Sequence, residues 1–96
     1  MKTETHNIQC VDGEHEVKLD IFVMDGVEAV EAYELPARMY SNGGFRIEAM
    51  VNGTPAGTHF YSGNLGSAYY GDSSADAARE ILAEARRTGV LPAVAL

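Results

Sequence analysis

Cys10 and His15 are the side chains of this 96-residue sequence whose types and spacing come nearest to nucleophilic chemistry. Between them stands Asp12-Gly13, a dipeptide that readily takes the two positive φ angles of a tight hairpin turn. With those two residues at the turn positions, Val11 faces Glu14, Cys10 faces His15, Ile8 faces Val17 and His6 faces Leu19. Cross-strand Cβ atoms lie about 4.5–5.5 Å apart, close enough for an imidazole to favour the thiolate form of a cysteine. A thiolate nucleophile needs such a base and an acid to orient it, and Asp12 or Glu14 is nearby. Position argues the other way. Both residues end an apolar face, where a cysteine usually serves as a small core residue, and no oxyanion-hole segment accompanies them. The expectation is that the chain is not an enzyme. The pair is kept as the alternative: a small enzyme or ligand-binding protein with a pocket between sheet and helix, using Cys10, His15 and His59.

Other constellations are weaker. His6, His15, His59, Cys10 and the carboxylates lack the paired i, i+3 or i, i+4 spacing of a zinc motif, and no calcium loop with alternating acids occurs. Neither a metal nor a cofactor is expected. Gly63-Asn64-Leu65-Gly66 matches the loop that clamps nucleic-acid backbones in KH domains, but it has no basic company and follows a strand. The phosphate-binding fingerprints Gly-x-Gly-x-x-Gly and Gly-Lys-Ser/Thr do not occur. In the loop from Ser62 to Asp72, Tyr69 and Tyr70 sit between small residues, a composition that suits a binding surface. The competing reading folds one or both rings over the end of the core.

The elements that position these residues follow from periodicity. The first hairpin register puts Ile8, Cys10, Val17, Leu19, Ile21 and Val23 on one face and Gln9, Glu14, Glu16, Lys18 and Asp20 on the other. With Asn52-Gly53 as a second turn, Phe45 faces Phe60, Ile47 faces Thr58 and Ala49 faces Ala56, leaving Arg46, Glu48 and His59 on the opposite face. Ser41 to Gly44 forms a third turn after a short strand near Ala37–Tyr40. Residues 26–36 fit strand alternation slightly better than helical spacing, and both readings stay open.

Near the C-terminus, Ala75, Ala78, Ile81, Leu82 and Ala85 form an apolar stripe at helical spacing. Ser73 or Ser74 serves as its cap, with Asp76 placed as in a capping box, and Gly89 as its stop. Burying Ile81 and Leu82 stabilises the fold by roughly 1.5–3 kcal/mol each. The expected architecture is α+β, an antiparallel sheet of four or five strands with one C-terminal helix on its apolar face, residues 1–96 forming one domain.

Charge supplies the functional clue. Fourteen acids against seven Lys and Arg give a formal net charge of −7. That balance speaks against direct nucleic-acid or anionic-membrane binding, where Lys and Arg supply the affinity. Residues 1–36 hold nine of the acids and two of the bases, a net of −7, while residues 37–96 are neutral. Glu14, Glu16 and Asp20 project from the polar face of the first hairpin, and Glu28, Glu31 and Glu34 continue the run. Such a field steers a basic partner; the plain alternative is ordinary solubility. The lone cysteine and the absence of a signal-peptide pattern or a bilayer-length apolar run point to a reduced, cytoplasmic setting.

In size, acidity, lack of catalytic motifs and sheet-then-helix order, the chain resembles the small phage-encoded inhibitors of bacterial defence known as anti-CRISPR proteins. The resemblance rests on general organisation and transfers no residue. It implies a non-enzymatic inhibitor that docks on a basic, nucleic-acid-binding surface of a partner, with carboxylates standing in for phosphates. The binding residues would be Glu14, Glu16, Asp20, Glu28, Glu31 and Glu34, with Tyr69 and Tyr70 as aromatic anchors. An edge strand or the apolar tail 90–96 also offers a route to a homodimer, unless the tail packs on its own domain.

Overall fold

The computed structural model describes residues 1–41, 43–62 and 72–92, with the side chains of the last segment from Ser74 onward. Four strands, β1 (Lys2–Cys10), β2 (Gly13–Met24), β3 (Gly44–Val51) and β4 (Thr54–Ser62), form an antiparallel meander in the order β1-β2-β3-β4. Two short helices, α1 (Gly26–Tyr33) and α2 (Ala37–Tyr40), fill the connection from β2 to β3. The C-terminal helix α3 (Asp72–Thr88) packs on one face of the sheet. The fold is α+β, as the hydrophobic pattern predicts.

Alternation along the strands decides which face is covered. Val17, Leu19 and Ile21 of β2 and Ile47, Ala49 and Val51 of β3 point to α3, where Ala77, Ala78, Ile81, Leu82 and Ala85 meet them. Alanines along the helix let it lie close to the sheet. Leu91 folds back into this core, its N–H donating to the Ala85 carbonyl at 3.1 Å, so the tail packs on its own domain as far as Leu91. The capping position moves, because α3 runs from Asp72 and both Ser73 and Ser74 fall inside it. Asp76 pairs with Arg79 at 2.8 Å on the outer helix surface.

Further local expectations change, each for a physical reason; among them, the short strand expected near Ala37–Tyr40 is a helical turn. The first turn centres on Val11 and Asp12, with the positive φ (117°) on Gly13, so Cys10 pairs with Gly13, Ile8 with His15 and His6 with Val17. A two-residue shift preserves the faces. Val23 nonetheless stays 78% exposed at the end of its strand, opposite Phe45 and beyond the reach of β1.

The second turn does use Asn52 and Gly53, with φ of 50° and 80°. However, a β-bulge shifts the ladder by one residue between Glu48 and Met50, and Gly57 opposite it has φ 86°. Phe45 therefore pairs with Tyr61, Arg46 with Phe60 and Ile47 with His59. His59 thus lies on the face of Ile47 instead of the face of Arg46, and Phe60, expected opposite Phe45, stands beside Arg46 in its stead. Tyr61 reaches the core edge, where burial first, and then the neighbouring Glu80, pushes its hydroxyl up to about 12.

Residues 26–33 form a helix instead of a third strand. Asp25 caps it by accepting from the Glu28 N–H at 2.7 Å, and Gly26, Ala29 and Tyr33 face inward at the i, i+3, i+7 spacing of a helix. Glu34 closes it in the left-handed conformation, and the Leu35 N–H returns to the Ala29 carbonyl at 3.0 Å. Ala37–Tyr40 is a single helical turn after Pro36, whose φ of −60° suits a helix start. Tyr40, Met24 and Ala29 form a second, smaller core, with Tyr33, Leu35 and Phe60 packed against it. α1 thus lies on the sheet face opposite α3.

Candidate functional site

Cys10, Asp12 and His15 converge even though the register moves by two. One ligating atom from each lies within 4.8 Å of the other two. Arg86 of α3 donates to both Asp12 oxygens, at 2.6 and 3.1 Å, and to the Pro92 carbonyl at 3.0 Å. Hydrogen bonds from Arg86, then from His15, hold the Asp12 carboxyl well below the usual carboxylate range.

The second turn fixes the state of His15. The Glu16 N–H donates to Asn52 Oδ1 at 2.9 Å, which leaves the Asn52 amide nitrogen 2.9 Å from His15 Nδ1. That nitrogen can only donate, so Nδ1 accepts. The imidazole proton then sits on Nε2 and is donated to Asp12 Oδ1 at 3.0 Å. Both ring nitrogens are used, so His15 has no lone pair to offer Cys10. The thiol instead faces the Ile8 carbonyl at 3.8 Å. A cation would have to displace Arg86 from Asp12 and a proton from His15, so the donor set fits a metal poorly. These residues tie the end of α3 to the two hairpin turns. Asn52 and Arg86 escape a sequence reading because Arg86 and Asp12 are 74 residues apart.

The acids divide between the two sides of the sheet. On the α3 side, Glu4 pairs with Lys2 at 3.1 Å. Burial works to raise the Glu4 carboxyl, but hydrogen bonds from Lys2 and Ser74 outweigh it and hold the group low. Asp12 is neutralised by Arg86. Asp76 and Glu84 pair with Arg79 and Arg87, and only Glu80 of the described acids there has no cation bound.

The other seven acids of residues 1–36 lie opposite α3. Glu14, Glu16 and Asp20 project from β2 on the face away from the helix core, and Asp25, Glu28, Glu31 and Glu34 belong to α1 and its ends. Glu48 of β3 joins them, directly across from Asp20. These eight carboxylates face three bases, Lys18, Arg38 and Arg46, on the same side. Arg46 is bound to Glu48 at 2.5 Å and lies 3.9 Å over the Phe22 ring, so its charge is spent locally. Asp20 in turn accepts from the Thr3 hydroxyl at 2.8 Å. The structure therefore brings Glu14, Glu16, Asp20, Glu28, Glu31 and Glu34 to one side of the molecule; Tyr69 and Tyr70 lie outside the described residues.

No protein-family model matches this chain, and no curated protein or solved structure matches it either. Among the described residues, no helix is long and apolar enough to cross a membrane.

Proposed function

We propose that this chain is a non-enzymatic, acidic interaction module that docks on a basic, nucleic-acid-binding surface of a partner protein in the cytoplasm and inhibits it, as anti-CRISPR proteins do. One observation carries the reading. The excess negative charge is gathered on the side of the sheet that α3 leaves open, whereas most acids on the α3 side are paired with cations. Solubility alone does not call for gathering Glu28, Glu31 and Glu34 of α1 and its end on the same side as Glu14, Glu16 and Asp20. A carboxylate surface of this kind competes with phosphates for Lys and Arg and speeds encounter with a basic partner. Tyr69 and Tyr70 serve in this reading as aromatic anchors.

The small-enzyme alternative draws on the proximity of Cys10 to His15, but the imidazole is committed to Asp12 and Asn52. The experiment is capture of partners from the native host and from phage-infected cells, using the wild-type chain and a Glu14→Lys/Glu16→Lys/Asp20→Lys/Glu31→Lys variant of unchanged circular dichroism. The reading expects one nucleic-acid-binding complex with the wild type, displaced by added DNA and lost with the variant. Equal capture by the variant, or no such complex, overturns it.

A further inference from the structure

α1 does not bury its whole apolar content. Val27 and Val30 are 63% and 40% exposed, and Met39 on neighbouring α2 is 54% exposed. Val27, Val30 and Glu31 fall at i, i+3 and i+4, so apolar and acidic groups share one stripe of the helix. Beside that stripe a groove of about 570 Å³ opens between α1 and α2, walled by Val27, Val30 and Ala37 and bordered by Asp25 and Glu31. Asp25 is occupied in capping the helix, whereas Glu28 and Glu31 are exposed and have no ion-pair partner among the described residues.

Resting on the proposed docking function, we propose that this groove is the centre of the interface and that it receives an amphipathic basic segment of the partner, in which Arg or Lys alternates with apolar residues. The match is chemical. A Lys or Arg side chain lays an aliphatic stem along apolar surface while its cationic head reaches outward, which suits valine walls with carboxylates at the rim. Apolar neighbours in the segment would cover Val27, Val30 and Met39, giving the desolvated centre that binding energy requires. A second copy of this chain is a poor occupant, because a two-fold contact through α1 would set Glu28, Glu31 and Glu34 against themselves. An anionic lipid surface is repelled by the same carboxylates.

The test uses the full chain, labelled with ¹⁵N, and three synthetic peptides of equal length: alternating arginine–leucine, oligoarginine, and alternating glutamate–leucine. The arginine–leucine peptide is expected to shift amides between Gly26 and Ser41 and to bind about tenfold more tightly than oligoarginine. A Val27→Ser/Val30→Ser variant should lose about tenfold, while Glu80→Gln on the α3 side stays within about twofold of wild type. Shifts centred on Glu14–Asp20, equal affinity for oligoarginine, unchanged binding by the valine variant, or no binding would each overturn the groove. So would concentration-dependent dimerisation lost with the valine variant. The two proposals fail separately: partner capture kept by the valine variant and lost by the four-lysine variant leaves the acidic module standing and removes the groove.

Discussion

Arg86 grips Asp12 through both carboxylate oxygens, at 2.6 and 3.1 Å, and so fastens the last turns of α3 to the tip of the first hairpin. The pair sets the direction of an acid response. The Asp12 carboxyl is held below its ordinary 3.8, so the folded state gives up its proton more readily than the unfolded chain. The stability this confers is complete above the unfolded value and is withdrawn as pH falls through it towards the folded one. Denaturant midpoints measured from about pH 7 down to about pH 3 should fall more steeply for wild type than for Asp12→Asn. Arg86→Ala should lower the midpoint at neutral pH. Parallel profiles for wild type and Asp12→Asn would remove Asp12 from the acid response.

Cys10 is expected to gain nothing from His15. With the Nε2 proton given to Asp12 and Nδ1 accepting from Asn52, no imidazole lone pair is left to take the thiol proton. Alkylation by iodoacetamide should proceed at rates within about twofold in wild type and His15→Ala. A rate lower by about tenfold in His15→Ala would restore the enzyme reading. Added Co²⁺ should likewise produce no thiolate-to-metal charge-transfer band, because Arg86 already occupies Asp12.

Glycine positions separate two kinds of backbone demand. At Gly57 a methyl group would meet only His59 Nε2, at 3.6 Å, so the cost of Gly57→Ala is the φ of 86°. About 1 kcal/mol is expected. At Gly44 a Cβ would collide with the Tyr61 carbonyl and stand 2.9 Å from the Tyr40 ring. Overpacking there should cost about 1–3 kcal/mol or more, so urea denaturation should rank Gly44→Ala below Gly57→Ala in stability. The reverse order would mean that Tyr40 yields easily.

Period-two alternation makes the covered faces of β2 and β3 readable, because a shift by two residues leaves every side chain on its side; that is why Val17, Leu19 and Ile21 read as core residues although their partners differ from the expected ones. The bulge at Gly57 broke the same logic, since a one-residue shift exchanges His59 and Phe60, and a lone glycine in a strand does not announce how far it shifts the register. The six acidic candidates were visible as composition. That they share one side depended on α1 crossing the face opposite α3, a tertiary relation with no local signal.

Asp25 decides whether α1 exists in that place. Its carboxylate is the helix's only side-chain cap, accepting from the Glu28 N–H at 2.7 Å, and eight residues are too few for a helix to persist in water without such support and packing. Asp25→Ala should cost about 1 kcal/mol, and Asp25→Ser, which retains a capping oxygen, should recover most of it. Hydrogen exchange should quicken first at the amides of Glu28 and Ala29, which bond to Asp25, while the β2–β3 amides keep their protection. Because α1 carries Glu28, Glu31 and Glu34, the same variant should weaken binding to a basic partner without altering net charge near the sheet residues Glu14, Glu16 and Asp20. Unchanged exchange at Glu28 in Asp25→Ala would show that packing of Ala29 and Tyr33, and not the cap, holds α1 in position.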